Sequence, residues 1–138
     1  MRRLAGLALV VVLLTQGCAV VGVAAVVGAA AGVTYTVLGI AEKTFNEEYE
    51  TVNEALQKAL VGLDIKIGNV QKTEEAGQVI ATQIQAYARD LTISISIERI
   101  TSKATRVVAD ATRKYFIHDS STATEILVQT ANNLPKRP

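Results

Sequence analysis

Apolar residues recur along this chain in three successive patterns, and the change from one to the next marks its organisation. From Leu4 to Ala41 they run almost unbroken, and residues 19–41 carry no charge. From Tyr49 they fall at helical spacing. Tyr49, Val52, Leu56, Ala59, Leu60 and Leu63 lie on one stripe, because residues three and four apart share a helix face. The spacing predicts an amphipathic helix over residues 48–61. Asn46 has the type of an N-cap, Glu47 and Glu48 put negative charge on the first turn, and Gly62 stands where the helix would stop. A short strand is expected just before it, over residues 42–45.

From Asp64 the period becomes two, as in strands with one buried face. Ile65 and Ile67 alternate with Lys66 and Gly68 in a strand that runs towards Lys72. Glu74-Glu75-Ala76-Gly77 reads as a hairpin loop whose glycine takes positive φ. A strand over 79–87 puts Ile80, Thr82, Ile84 and Ala86 on one face, with Gln83 and Gln85 on the other. After a turn at Arg89-Asp90, Leu91, Ile93, Ile95 and Ile97 alternate with Thr92, Ser94, Ser96 and Glu98. A further turn at 101–104 leads to a strand with Val107, Ala109 and Ala111 inward and Arg106, Val108 and Asp110 outward. Consecutive Tyr115, Phe116 and Ile117 then break the alternation. Residues 113–119 either continue the sheet or form a loop that packs its aromatics on the core.

Asp119 to Ser121 carry helix-start signals, and Thr122 with Glu125 has capping-box spacing. Ala123, Ile126, Leu127, Thr130 and Leu134 mark a second amphipathic helix, which Pro135 stops. The order β-α-β-β-β-β-α offers one apolar sheet face and two apolar helix stripes. It predicts an α+β domain over residues 42–134: an antiparallel sheet of four to five strands with two amphipathic helices on one face. Residues 135–138 form a short tail.

The first stretch changes the picture. Residues 1–17 open with Met1-Arg2-Arg3, continue with an apolar run and end on a small residue, the pattern of a secretory signal peptide. Leu14-Thr15-Gln16-Gly17-Cys18 resembles the processing site of bacterial lipoproteins. There, cleavage before the cysteine frees its amino group and the thiol receives a diacylglyceryl group. Thr15 and Gln16 depart from the favoured residues, and the competing reading is an ordinary secretory or membrane segment with an incidental cysteine. Cys18 is the single cysteine, so in an exported chain it has no internal disulfide partner; lipidation would give it a role. Ala19, instead of aspartate, follows it, which resembles the pattern sent to the outer membrane. The expectation is an outer-membrane lipoprotein facing the periplasm.

Residues 18–41 are then either a Gly/Ala-rich tether or a membrane helix, since about twenty apolar residues suffice to span. Ala24, Gly28 and Gly32, four apart, would line a face on which a second helix packs closely. Taken with this segment (22–39), the helix over 49–63, Thr105-Arg106-Val107 and the final helix, the chain resembles a family of small bacterial lipoproteins of unassigned function. The resemblance implies a periplasmic lipoprotein of this architecture and transfers no catalytic residue.

Composition narrows the function classes. The 138 residues allow one modest domain after the apolar start. With no Trp, four Tyr and two Phe, the core must rest on Ile, Val, Leu and Ala. Removing Arg2 and Arg3 from the 14 basic residues leaves 12 against 13 acidic ones. No basic run interleaves with aromatics, which argues against nucleic acid. His118, the one histidine, stands beside Asp119, Ser120 and Ser121. Adjacent residues rarely face one another as a nucleophile and base must, and a helix start accounts for them. One histidine and one lipidated cysteine make no metal set. Glu47, Glu50 and Glu54 share a helix face and read as solvated charge. No phosphate loop, dinucleotide glycine pattern or nucleophile elbow is present.

No catalytic residue, metal or cofactor is therefore expected. The expectation is a structural or protein-interaction module of the envelope, not an enzyme. Its partners would be the membrane, through Cys18, and a second copy or another envelope protein. The alternative is a binding module for a small apolar or lipid ligand.

Overall fold

The period-two strands form, and their apolar face is the centre of the molecule. The computed structural model describes residues 34–35 and 38–136. The expected signal peptide, Cys18, Ala24, Gly28 and Gly32 lie outside the described residues. In chain order the elements are β1 (Thr34–Tyr35), β2 (Ala41–Phe45), α1 (Tyr49–Gly62), β3 (Lys66–Glu75), β4 (Gln78–Ala88), β5 (Leu91–Thr101), β6 (Ala104–Arg113), a 3-10 turn (Lys114–Phe116), β7 (Ile117–His118) and α2 (Ser120–Asn132). All strands belong to one antiparallel sheet, ordered β1-β2-β6-β5-β4-β3, with β7 pairing the end of β6. Five strands carry it, and β1 and β7 add two residues each. Both helices lie on one face, as the two apolar stripes required.

Burial follows the alternation. Ile84, Ala86, Ile93, Ile95, Ile97, Val107 and Ala109 are all fully buried, and so are Val52, Leu56 and Leu60 of α1 and Ala123, Ile126 and Leu127 of α2. Alanines at 41, 109 and 111 thin the sheet surface beneath α2, which packs on β6 and β2 and still touches α1. The buried Tyr49 hydroxyl and Thr82 Oγ1 satisfy each other across this core. Ala41, read from sequence as the last residue of the apolar segment, is buried and pairs with Ala109.

Three local expectations are corrected. Glu48, not Asn46, caps α1, and it makes no side-chain cap bond. Thr105 Oγ1 donates to the Glu47 carbonyl at 3.0 Å, holding the bend after β2 against β6. At the other end, the left-handed position falls on Asp64 (φ 56°) and not on Gly62. Asp64 N–H donates to Val61 O and Ile65 N–H to Leu60 O, the paired bonds of a Schellman ending. In α2 the cap is Asp119, whose Oδ1 accepts from Thr122 N–H at 3.0 Å. Thr122 is therefore the recipient of the cap, and Glu125 instead accepts from Gln129.

β3 stands apart. Among the described residues it pairs only with β4, and every one of its ten residues is exposed. Its alternation is real, but neither helix reaches over it. Register shifts at Ile67/Asn69 and Thr73/Glu74 break its regularity, and charged Lys66, Lys72, Glu74 and Glu75 line it. Such features keep an open edge from recruiting further strands.

The face assignment makes a direct prediction. Ile95→Ala should destabilise the domain by about 2–5 kcal/mol in urea unfolding, the cost of truncating a fully buried branched residue. Ser94, on the opposite face, only accepts from Gln85 Nε2 at 3.0 Å, so Ser94→Ala should cost no more than about 1 kcal/mol. Equal midpoints for the two variants would contradict the facing.

Candidate functional site

Antiparallel pairing brings four connections to one end of the sheet. Lys66 lies opposite Tyr87, Ala88 opposite Leu91, and Thr92 opposite Thr112. The α1–β3 turn, the Arg89-Asp90 turn, the 3-10 turn and the start of α2 therefore meet there. The far end is closed. Arg99 lies with its guanidinium carbon 5.1 Å from the Tyr49 ring centroid, donates from Nε to Val79 O, and bridges Glu50 at 2.7 Å. At the near end no such cover exists, and two open clefts of about 530 and 500 Å³ lie side by side.

The first cleft is lined by Leu63, Ala88 and Leu91, together with the charged Asp64, Lys66, Arg89 and Glu125. Gly68 keeps its wall intact: a Cβ there would come within 2.5 Å of the Tyr87 ring, so only glycine lets that ring lie against β3. The second cleft shares Tyr87, Arg89 and Leu91 and adds Arg113, Lys114, Tyr115 and Phe116.

The 3-10 turn is the least expected part of the structure. Tyr115 and Phe116 are each 89% exposed, and Ile117 is 60% exposed. They do not pack their rings on the core, which overturns one of the two readings of residues 113–119. Both aromatics adopt left-handed backbone, with φ 67° and 60°. That conformation is an outlier for bulky residues and costs on the order of 1–3 kcal/mol each. The base beneath them is firmly fixed. β7 pairs Thr112 with His118 and Arg113 with Ile117, Arg113 bridges Asp119 at 2.8 Å, and Asp119 N–H donates to Ala111 O. Strained, exposed aromatics are thus held out on a rigid mount.

The residues weighed as chemistry are dispersed. His118 Nδ1 lies 2.7 Å from Asp110 Oδ1 on the outer sheet face, so its carboxylate partner is not the adjacent Asp119. Asp119 serves the helix start. Its carboxyl sits below the usual range because Thr122 N–H donates to it, with Arg113 adding to the effect. Glu50 is also lowered, first by a backbone hydrogen bond and further by Arg99, and Glu54 is lowered by Lys58. Glu47 belongs to the bend before α1, so the row of three is not one site. Among the described residues no group of three or more His, Cys, Asp or Glu is placed to hold a metal ion, and no helix is long and apolar enough to cross a membrane.

A family model described as protein of unknown function (DUF3568) matches residues 3–110. The chain belongs to this family. The DUF3568 match spans the apolar start, α1 and the sheet as far as Asp110; Tyr115, Phe116 and α2 come after it. No curated protein matches the chain.

Sequence reasoning missed the aromatic mount because a run of three apolar residues has no period. Its signal was the break in alternation itself, directly after Arg113-Lys114. The cap beneath it is testable. Asp119→Ala should cost about 0.5–2 kcal/mol at neutral pH, as loss of an N-cap does, whereas Asp119→Asn should retain most of that. The depressed carboxyl gives the pH sign: its stabilisation is complete above the unfolded value of about 3.9 and is lost as pH falls through the folded one. Urea midpoints of the parent and Asp119→Ala should therefore converge in acid.

Proposed function

We propose that this protein is a lipid-anchored envelope lipoprotein, held at the outer membrane through Cys18 and facing the periplasm. Its α+β domain would act there as a structural or protein-interaction module, not as an enzyme. The observation that carries the module reading is the sheet face opposite the two helices, which no described element covers. Gln83 and Gln85 donate across the strands to Ser96 and Ser94 at 2.9 and 3.0 Å. Arg106 bonds Glu98 and lies 3.8 Å from Glu42 on its other side. This is a polar surface across four strands whose side chains largely bond one another, with the buried Arg106 Nε left without a partner among the described residues. A broad surface of this kind suits contact with another protein better than it suits chemistry on a small substrate.

The cleft of about 530 Å³ favours a second reading, a binding module for a small apolar or lipid ligand. Its size is in the range of small-molecule sites, and Leu63, Ala88 and Leu91 supply apolar wall. A ligand that co-purifies from membranes in native mass spectrometry, and is lost in Leu91→Asp, would favour it.

The anchor has its own test. Mass spectrometry of the mature protein should find a lipid-modified Cys18 and no Met1. Cys18→Ala should leave unprocessed precursor or release the domain. An unmodified thiol on a processed chain would overturn the anchor.

A further inference from the structure

We propose that the Tyr115-Phe116-Ile117 tip is a membrane-contact element that seats this end of the domain in the interface of a phospholipid bilayer. The inference deepens the anchored reading and rests on it.

Tyr115, Phe116 and Ile117 are exposed here, and a fourth exposed apolar residue lies nearby. Leu38 is 63% exposed in the turn between β1 and β2. The next residue, Gly39, sits where a Cβ would lie 3.3 Å from that of His118, which directly follows Ile117. The end of the uncharged segment that leads from Cys18 therefore turns beside the tip. Aromatic rings with an apolar neighbour suit the depth where acyl chain meets headgroup. Charged groups flank the tip in balance, Arg89, Arg113 and Lys114 against Asp90, Asp110 and Asp119. Guanidinium and ammonium groups there can meet phosphate while the rings go deeper.

The opposite end is unlike this one. The Glu74–Gly77 and Thr101–Ala104 connections carry polar and charged residues, and β6 sets them about 30 Å away at strand rise. Fifteen residues lie between Cys18 and Thr34, at most about 55 Å of extended chain, so an anchored domain can reach the lipid with this end. The strained backbone at Tyr115 and Phe116 then has a use: it points both rings away from the core, and the paired base prevents their collapse onto it.

The chain has no Trp, so one indole reports one position. The full chain carrying Phe116→Trp, or Ser102→Trp at the far end, would be reconstituted in phosphatidylethanolamine–phosphatidylglycerol vesicles. Flotation reads the anchor; quenching by brominated acyl chains and by aqueous acrylamide reads the tip. The expected result is flotation of both, with Phe116→Trp blue-shifted, quenched by bromolipid and shielded from acrylamide, and Ser102→Trp quenched by acrylamide alone. A chain that floats with its Phe116→Trp indole open to acrylamide overturns the tip and leaves the anchor standing. Shielding from both quenchers would mean a protein contact and also overturns the tip. A chain that does not float overturns both readings.

Discussion

Two amphipathic helices and one apolar sheet face satisfy each other in this domain, and the contact between them sets nearly everything else. Ile93, Ile95 and Ile97 on β5, with Val107 and Ala109 on β6, form a surface that water cannot be left to cover. α1 meets it with Val52, Leu56 and Leu60, and α2 with Ile126 and Leu127. Branched side chains fill the middle, and alanines thin the part beneath α2. Two helices side by side are not wide enough for the whole sheet. β2, β6, β5 and β4 are covered, and β3 is left out. Its exposed Ile67 and Val70 share a face with buried Ala86 and Ile84, so chemistry alone does not decide their fate. Position relative to the helices does.

The same limit shapes the two ends. At one, Arg99 folds its stem and guanidinium over Tyr49 and ties itself to α1, closing the core with a side chain from the buried face. At the other, the connections carry the chain past the helices without a lid, which leaves open clefts and the raised aromatic turn. A rigid core and a variable loop-bearing end are the usual division between what stabilises and what recognises. The polar sheet face and this end are separate surfaces. Under the proposed reading, one would meet a partner protein and the other a lipid interface.

The elements legible in sequence were those with a period. The helical stripe from Tyr49, the alternation through β4 to β6 and the stripe from Ala123 all fixed type and facing, because burial on one side leaves a regular mark. What failed was local. Asn46 has the right chemistry for a cap, but a hydrogen bond from Thr105 to the Glu47 carbonyl, 58 residues apart, holds the chain before the helix start. Gly62 is the residue type for a left-handed ending, yet the Schellman geometry places that position on Asp64. The run Tyr115-Phe116-Ile117 leaves sheet and core-packed loop both open; Ile117 pairs with Arg113, while Tyr115 and Phe116 stand exposed. Each miss follows from a long-range contact or a turn geometry that no spacing encodes.

Amide hydrogen exchange on the full chain tests most directly whether one-sided burial governs the fold. β3 and β5 are strands of similar length in the same sheet, ten and eleven residues, but only β5 lies under the helices. The amides of β5 and β6 should exchange only through global unfolding, while those of β3 should exchange much faster through local opening of the edge. Protection of β3 equal to that of β5 would contradict the account, because the helix contact would then not be what holds the sheet together.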